Sequence, residues 1–445
     1  MKRAMSSRRK FLKQLGFGTA ALACGVKAFS ANEASSRKPN VIFILTDDQG
    51  SVDVGCYGAK DLITPNMDRL AREGVRFNQF YVGASVCSPS RAALLTGRYP
   101  QRAKLVSNAY GDRGMPNDQV TIAEVLKGHG YRTGIFGKWH MGDTLPLSPN
   151  AQGFDEFFGH KVGCIDNYSH FFYWHGPNRH DLWKNEQEHW EDGKYFPDMV
   201  VREANRFIEE NKDDPFFLYL PFNMPHYPLQ AEQKFAEMYK NIKDPKRARY
   251  GAFVTALDDR IGQVLAKLDE LNLRENTIVI FMSDHGHSVE ERTFGGGGSA
   301  GPYRGHKGTH WEGGIRVPCI ISWPDHIPKG VARDQLACSI DWFPTIAEYC
   351  GVSLPNRKID GKSITDIIAS DSASTKHDIM HWMRGKSWAT RRGHWKLVYD
   401  QQLFLSDLKT DVAESKNLAG NHPEVVSQLK KLHDQWAAEV KSFRD

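Results

Sequence analysis

Four continuous apolar runs, each closing on polar residues, constrain the fold of this chain more than any other feature. Asn40-Val41-Ile42-Phe43-Ile44-Leu45-Thr46 ends in Asp47-Asp48. Residues 131–136 lead to Gly137-Lys138-Trp139-His140, 215–220 to Asn223-Met224-Pro225-His226, and 277–282 to Ser283-Asp284-His285-Gly286. A run without polar alternation suits a strand buried on both faces of a sheet covered by helices. Apolar spacings of three and four over 67–73, 122–128, 199–211 and 250–273 predict helices between the strands. The alternation predicts an α/β fold with a large mixed, mostly parallel sheet flanked by helices. Ligands of such sheets gather beyond the carboxyl ends of the strands, where all four runs place polar residues. After about residue 350 the pattern changes. Residues 379–398 hold short, aromatic, partly alternating runs punctuated by Gly385 and Gly393, and 425–443 carry a helical apolar stripe. The expected division is a large domain over 39–350 and a smaller C-terminal α+β domain over 351–445 with a short antiparallel sheet.

Cys87-Ser88-Pro89-Ser90-Arg91, followed by Ala92-Ala93-Leu94-Leu95-Thr96-Gly97, places a thiol at the start of a predicted helix. Ser88 is expected as the N-cap, with Pro89 in the first turn. Residue 87 would then sit at the positive end of the helix, which attracts anions, with Arg91 one turn on. Together these groups make a site for a tetrahedral oxyanion. Asp47, Asp48 and Asp284 add three carboxylates at two strand ends. Facing one point, they repel unless something positive sits among them. Oxygen ligands favour Ca²⁺ or Mg²⁺ over zinc.

The Cys-x-Pro-Ser-Arg run with its Leu-Thr-Gly tail resembles the signature of type I sulfatases, in the alkaline phosphatase superfamily, and matching blocks extend over residues 39–400. The resemblance implies hydrolysis of sulfate esters after a formylglycine-generating maturation enzyme converts Cys87 to Cα-formylglycine. It implies Asp47, Asp48, Asp284, His285 and the modified Cys87 as metal ligands. Ca²⁺ is the expected ion and Mg²⁺ the alternative, since His285 stands where the family often has Asn. Lys138 and His140 match the family's Gly-Lys-Trp-His segment, His226 its second histidine, and Lys307 the lysine before Glu312-Gly313-Gly314. Arg91, Lys138 and Lys307 are implied to neutralise the hydrate and sulfate oxygens. His226 would protonate the leaving oxygen, and His140 would take a proton from the second hydroxyl of the hydrate.

Residues 163–183, rich in His, Asn and aromatics, suit sugar rings. Asp166 and His170 there, with Arg304 and His310 beside Lys307, are candidate substrate contacts. The segment looks similar to sulfatases acting on galactose or N-acetylgalactosamine sulfates, which implies a sulfated oligo- or polysaccharide, glycosaminoglycans included, as substrate partner. Two other readings stand beside it. One is a formylglycine-dependent phosphodiesterase or phosphonate ester hydrolase. The other is an inactive carbohydrate-binding protein with an unmodified Cys87.

The net charge of +5 misleads. Residues 1–30 hold seven basic residues and no acids, so the remainder carries −2, and no nucleic-acid partner is expected. Ser7-Arg8-Arg9-Lys10-Phe11-Leu12-Lys13 resembles the bacterial twin-arginine motif. The mildly apolar stretch over 15–26 is too short to span a bilayer. Residues 1–30 therefore read as an export signal and 31–38 as a linker. The twin-arginine machinery is an expected partner, and the periplasm or exterior the destination. Leu22-Ala23-Cys24 offers an alternative lipid-anchor site. Seven cysteines without a CxxC spacing leave room for one disulfide and do not specify it.

Overall fold

A computed structural model describes residues 37–174 and 176–441 of the chain. The expected export signal lies outside these residues, as does nearly all of the linker. The unit that begins at Lys38 is built on a ten-stranded sheet. Its order is Val331–Arg333, Gly74–Phe77, Cys319–Ser322, Thr277–Ser283, Asn40–Thr46, Phe216–Pro221, Arg132–Lys138, Glu156–His160, Trp183–Lys184, Gln187–Glu188. The five strands from Thr277–Ser283 to Glu156–His160 run parallel. Antiparallel pairings enter only toward the two edges.

The absence of polar alternation in the central strands has a direct cause. Val41, Phe43 and Leu45 enter one hydrophobic core, and Ile42 and Ile44 enter another on the opposite face. Phe217 and Tyr219 likewise divide from Phe216, Leu218 and Leu220. Each such side chain contributes roughly 1.5–3 kcal/mol on burial, so both faces demand apolar residues. Helices Pro65–Arg72, Phe196–Glu210 and Pro245–Glu270 cover one face. Cys87–Thr96, Ile122–Gly128 and Trp342–Tyr349 cover the other. Two helices start three to five residues before the periodicity suggests, because Pro197 and Pro245 occupy their first turns, where a missing N–H costs nothing.

Four antiparallel strands, Met380–Arg384, Ser387–Arg392, Trp395–Asp400 and Gln402–Asp407, form the expected C-terminal sheet. Gly385 and Gly393 turn the chain between them with φ of 59° and 58°. Helix Pro423–Lys441 packs on this sheet through Leu429 and Trp436. The sheet is tied to the large one by buried polar contacts. Trp382 Nε1 donates to Val82 O at 2.7 Å, and Arg391 reaches Tyr81 and Gln79. Lys396 Nζ lies 2.9 Å from Glu312 and 3.0 Å from Glu414, with all three side chains inaccessible. Burial pushes Glu414 up to about 7. Burial opposes ionisation of Glu312 as well, but Lys396 and two arginines outweigh it and hold that carboxyl at about 2. Among the described residues, six cysteines are unpaired, so the expected room for a disulfide goes unused there. No helix among the described residues is long and apolar enough to cross a membrane.

Three histidines make the C-terminal interface sensitive to acid. His381 stacks on Trp436, His433 stacks on Trp388, and His310 faces Ser387 Oγ at 3.1 Å. Burial holds His310 and His381 down at about 3 and His433 at about 4. An unfolded chain takes up these protons near pH 6.5, and the folded chain does not until pH 3–4. Stability is therefore full above pH 6.5 and falls as pH drops below it, by up to about 1.4 kcal/mol per pH unit per histidine. In urea melts at pH 7.5 and 5, His433→Asn should lose less stability across the interval than the parent. Equal losses would refute this account.

Candidate active site

The site is assembled by strand register. Thr46 pairs with Ser283 on the neighbouring parallel strand, so Asp47 and Asp284 leave the sheet side by side. The ladder continues one step further: Asp284 N donates to Thr46 O and Asp47 N to Met224 O, both at 2.9 Å. Asp48 then adopts a left-handed backbone, φ 66°, which turns the chain back over the strand ends. Lys138 closes the strand two places away, and His140 follows it with φ 55°.

Helix Cys87–Thr96 approaches these ends from the opposite core with every residue buried. Its N-cap is Val86, not Ser88. The expected cap is displaced because the Ser88 hydroxyl is engaged elsewhere, accepting from Ala109 N at 2.9 Å. Cys87 accordingly sits in the first turn. Its Sγ is 3.2 Å from His285 Nε2 and 3.7 Å from Asp47 Oδ1. Gly97 ends the helix at φ 64°, where an added Cβ would meet Phe343 at 2.9 Å. That crowding accounts for the glycine of the Leu-Thr-Gly tail.

Positive groups separate the carboxylates. Lys138 Nζ lies 2.5 Å from Asp47, and Lys307 Nζ lies 2.8 Å from Asp48. Arg91 donates to Asp284 Oδ2 at 2.9 Å and to Lys138 O at 3.0 Å. Burial alone would keep Asp47 protonated, but Lys138 and Arg91 outweigh it and hold its carboxyl well below the usual range. Burial wins at Asp48, pushed up to about 7, and at Asp284, also raised. The thiol of Cys87 is opposed by burial yet pulled down to about 6 by Lys138 and Lys307. Burial, reinforced by Lys138 at His140 and by Lys307 at His226, holds both histidines neutral. A protonated His226, as the sequence implies, is therefore disfavoured until an anion offsets the lysines.

Asp47, Asp48, Cys87 and His285 each bring a ligand atom within 4.8 Å of the others, all buried. Asp284 stands beside them, one oxygen on Arg91 and the other 3.5 Å from His285 Nε2. His285 Nδ1 faces Gly286 O at 3.0 Å, which turns Nε2 inward. A cluster of buried carboxylates with one oriented imidazole fits a divalent cation. Asp47, Asp48 and His285 would hold it, with Asp284 and the group at position 87 adjoining.

The site opens into a cavity of about 540 Å³. Cys87, His140, His226 and Lys307 line its floor, while Arg91 and Lys138 lie sealed beneath. The walls include Asn108, Tyr110, Arg113, Phe172, Arg179 and Arg292. The four expected substrate contacts are not among the lining residues. Asp166 accepts from Tyr168 N, Ser169 N and Gln230, which shapes its own turn. His170 is buried against Lys194 O. Arg304 stacks on Trp311 and donates to Glu414 O. His310 faces Ser387. Among the wall arginines, Arg179 comes from a two-residue strand and Arg292 from a single 3₁₀ turn, elements too short for a single basic residue to carry a spacing signal.

A family model described as Sulfatase matches residues 39–352, and one described as N-sulphoglucosamine sulphohydrolase, C-terminal, matches 306–441. Arylsulfatase A of Homo sapiens is 35% identical, covering 91% of this chain and 89% of its own length. Steryl-sulfatase of Rattus norvegicus is 32% identical, covering 81% and 77%. The crystal structure of Ps i-CgsB in complex with k-i-k-neocarrahexaose aligns at TM-score 0.83 with 33% identity, covering 90% of this chain and 93% of that one.

A cation bound to the folded site alone stabilises the fold by mass action, about 2.7 kcal/mol at one hundred times its dissociation constant. The melting temperature of chelator-treated protein should climb with added Ca²⁺. Asp48→Asn should blunt the climb. A parent protein indifferent to both chelator and Ca²⁺ would contradict the assignment.

Proposed function

The chain belongs to the sulfatase family and is a sulfuric ester hydrolase, and from that premise we propose that it removes sulfate from sulfated oligo- or polysaccharides of galactose or N-acetylgalactosamine type, glycosaminoglycan fragments included. One observation carries the reading: Cys87 opens the floor of a cavity in which Lys307, His140 and His226 converge and arginines line the walls. Arg113, Arg179 and Arg292 suit a substrate with more than one anionic group. Tyr110, Phe172 and Tyr227 supply faces for sugar rings. Ps i-CgsB, seen with a neocarrahexaose, supports the carbohydrate class.

In this proposal Cys87 is matured to Cα-formylglycine. Its hydrate supplies one hydroxyl whose oxygen forms a bond to sulfur as the sugar oxygen leaves, and a second whose deprotonation forms the C=O bond and breaks the bond from the hydrate carbon to the sulfated oxygen, freeing sulfate and restoring the aldehyde. The cation, Ca²⁺ by expectation, supplies Lewis-acid polarisation of the sulfate when bound. Lys307 reaches the cavity and neutralises sulfate oxygens. Lys138, sealed below, holds Asp47 ionised, and Arg91 beside it holds Asp284 in place. His140, kept neutral by burial and by Lys138, is ready to accept a proton. His226 Nδ1 faces Tyr227 O at 2.7 Å, so Nε2 is the atom aimed inward. An arriving sulfate offsets the lysine field and lets Nε2 carry the proton that the departing sugar oxygen needs.

The proposal also places residues 1–30 as a twin-arginine export signal, with maturation before export. It assigns catalysis to 39–350 and a supporting role to 351–445.

Peptide mass spectrometry across 80–98, on protein made with a maturation enzyme, should show the aldehyde at position 87. Cys87→Ser should then abolish multiple turnover, because a serine sulfate lacks the second hydroxyl. A variant turning over near the parental rate would defeat the mechanism. Parallel phosphate-ester assays should show weaker activity, and a preference for phosphate would favour the phosphodiesterase reading.

The proton-donor role of His226 predicts a leaving-group effect. His226→Ala should cost about 10²–10⁴ in kcat on a sugar sulfate and far less on 4-nitrophenyl sulfate, whose leaving group needs no proton. Equal losses on the two substrates would remove His226 from that role.

A further inference from the structure

A second cluster, apart from the catalytic floor, has the form of a transition-metal site. His170 and His180 flank the short antiparallel hairpin in which Phe171 pairs with His180 and Phe172 with Arg179. His170 is fully buried, with a left-handed backbone of φ 61°. Its Nε2 lies 2.9 Å from Lys194 O. A carbonyl only accepts, so the proton sits on Nε2 and Nδ1 carries a lone pair. His180 Nδ1 lies 2.9 Å from the Glu188 carboxylate, which likewise leaves its Nε2 bare. Both bare atoms, His170 Nδ1 and His180 Nε2, are buried and have no hydrogen-bond partner.

A ring nitrogen of His170, a ring nitrogen of His180 and a carboxylate oxygen of Asp192 lie within 4.8 Å of one another. Two buried imidazole lone pairs left without a partner are unfavourable unless a cation or a donor reaches them. The carboxylate completes a His₂Asp set with a fourth position open, which is zinc chemistry more than calcium chemistry. The contacts behind the ligands are those that orient metal-binding histidines, a carbonyl behind one ring and a carboxylate behind the other. His180 is further fixed by stacking on Trp190 at 3.7 Å.

We propose that His170, His180 and Asp192 bind a zinc-class divalent ion that pins the hairpin forming one wall of the substrate cavity. Phe172 and Arg179, paired with each other next to the Phe171–His180 pair, line that cavity. The ion would hold them in place from behind and touch no reacting atom. The site is independent of the function assigned to Cys87.

The test uses the full-length protein, stripped with chelator and then saturated with Ca²⁺ so that the catalytic carboxylates are occupied. Zn²⁺ alone is the probe, followed by competition with a chromophoric chelator and by metal analysis after desalting. The parent should retain one zinc per chain and gain melting temperature. Co²⁺ in its place should show the intense visible bands of tetrahedral, nitrogen-ligated cobalt. His180→Gln should abolish retention. Glu188→Gln, which touches only the back of the ring, should weaken it by about 10–100-fold. Asp192→Asn, at an exposed position, should weaken binding without unfolding the chain. Failure of the parent to retain zinc would overturn the proposal and leave a bridging water in its place. Equal retention by the parent, His180→Gln and Asp192→Asn would overturn it too.

Discussion

The repulsion among three buried carboxylates at neighbouring strand ends governs this structure. Asp47, Asp48 and Asp284 have almost no solvent contact, and parallel pairing forces two of them side by side. Left alone, they would protonate or push the strand ends apart. The chain answers with Lys138, Lys307 and Arg91, delivered from three different segments, each within 3 Å of a different carboxylate. The outcome is uneven: Asp47 stays ionised, while Asp48 and Asp284 are raised. Negative charge is thus compensated locally but unevenly, which suits a pocket that would take both a cation and an anion.

The same arrangement explains why the signature helix is buried along its whole length. A helix N-terminus aimed at an oxyanion stabilises it only where water is excluded. Ala92, Ala93, Leu94 and Leu95 anchor the helix in the core, Gly97 lets it end against Phe343, and Ser90 Oγ donates to Asp284 O at 2.6 Å. Position 87 is held from both ends, and its chemistry rests on a rigid element.

Legibility in the sequence followed the physics of each element. Strand Asn40–Thr46 was readable to the residue because burial on two faces leaves no polar position between its two end residues. The polar residues beyond the strands were readable as one site because parallel strands place their carboxyl ends together. Ser88 misled because a cap depends on whether its hydroxyl is free, and here Ala109 N occupies it. The walls of the cavity were the least legible. Asp166, His170, Arg304 and His310 have the right chemistry for sugars, but each is consumed by a local partner. Arg113, Arg179 and Arg292 reach the cavity from turns and from elements of two or three residues, too short for any periodicity to reveal. In His170 the composition was informative and the role was not: a buried imidazole with one bare nitrogen needs a partner of a kind that spacing alone does not specify.

The C-terminal sheet contributes no residue to the catalytic floor, yet one floor residue depends on it. Lys307 lies on an irregular segment, held by its own N–H to His287 O and by Gly308 N to Ser85 O. That segment is fastened from the far side. Arg304 donates to Glu414 O, Arg384 to Gly308 O, and Glu312 is clamped by Lys396. Lys396 comes from the C-terminal sheet and neutralises two carboxylates that would otherwise be buried as a like-charged pair. Breaking such a network from one side leaves an uncompensated buried charge, at a cost of about 3–5 kcal/mol. The position of the Lys307 ammonium, and with it the charge state of Asp48, is therefore set by packing between the two sheets as much as by the strand that carries Asp48.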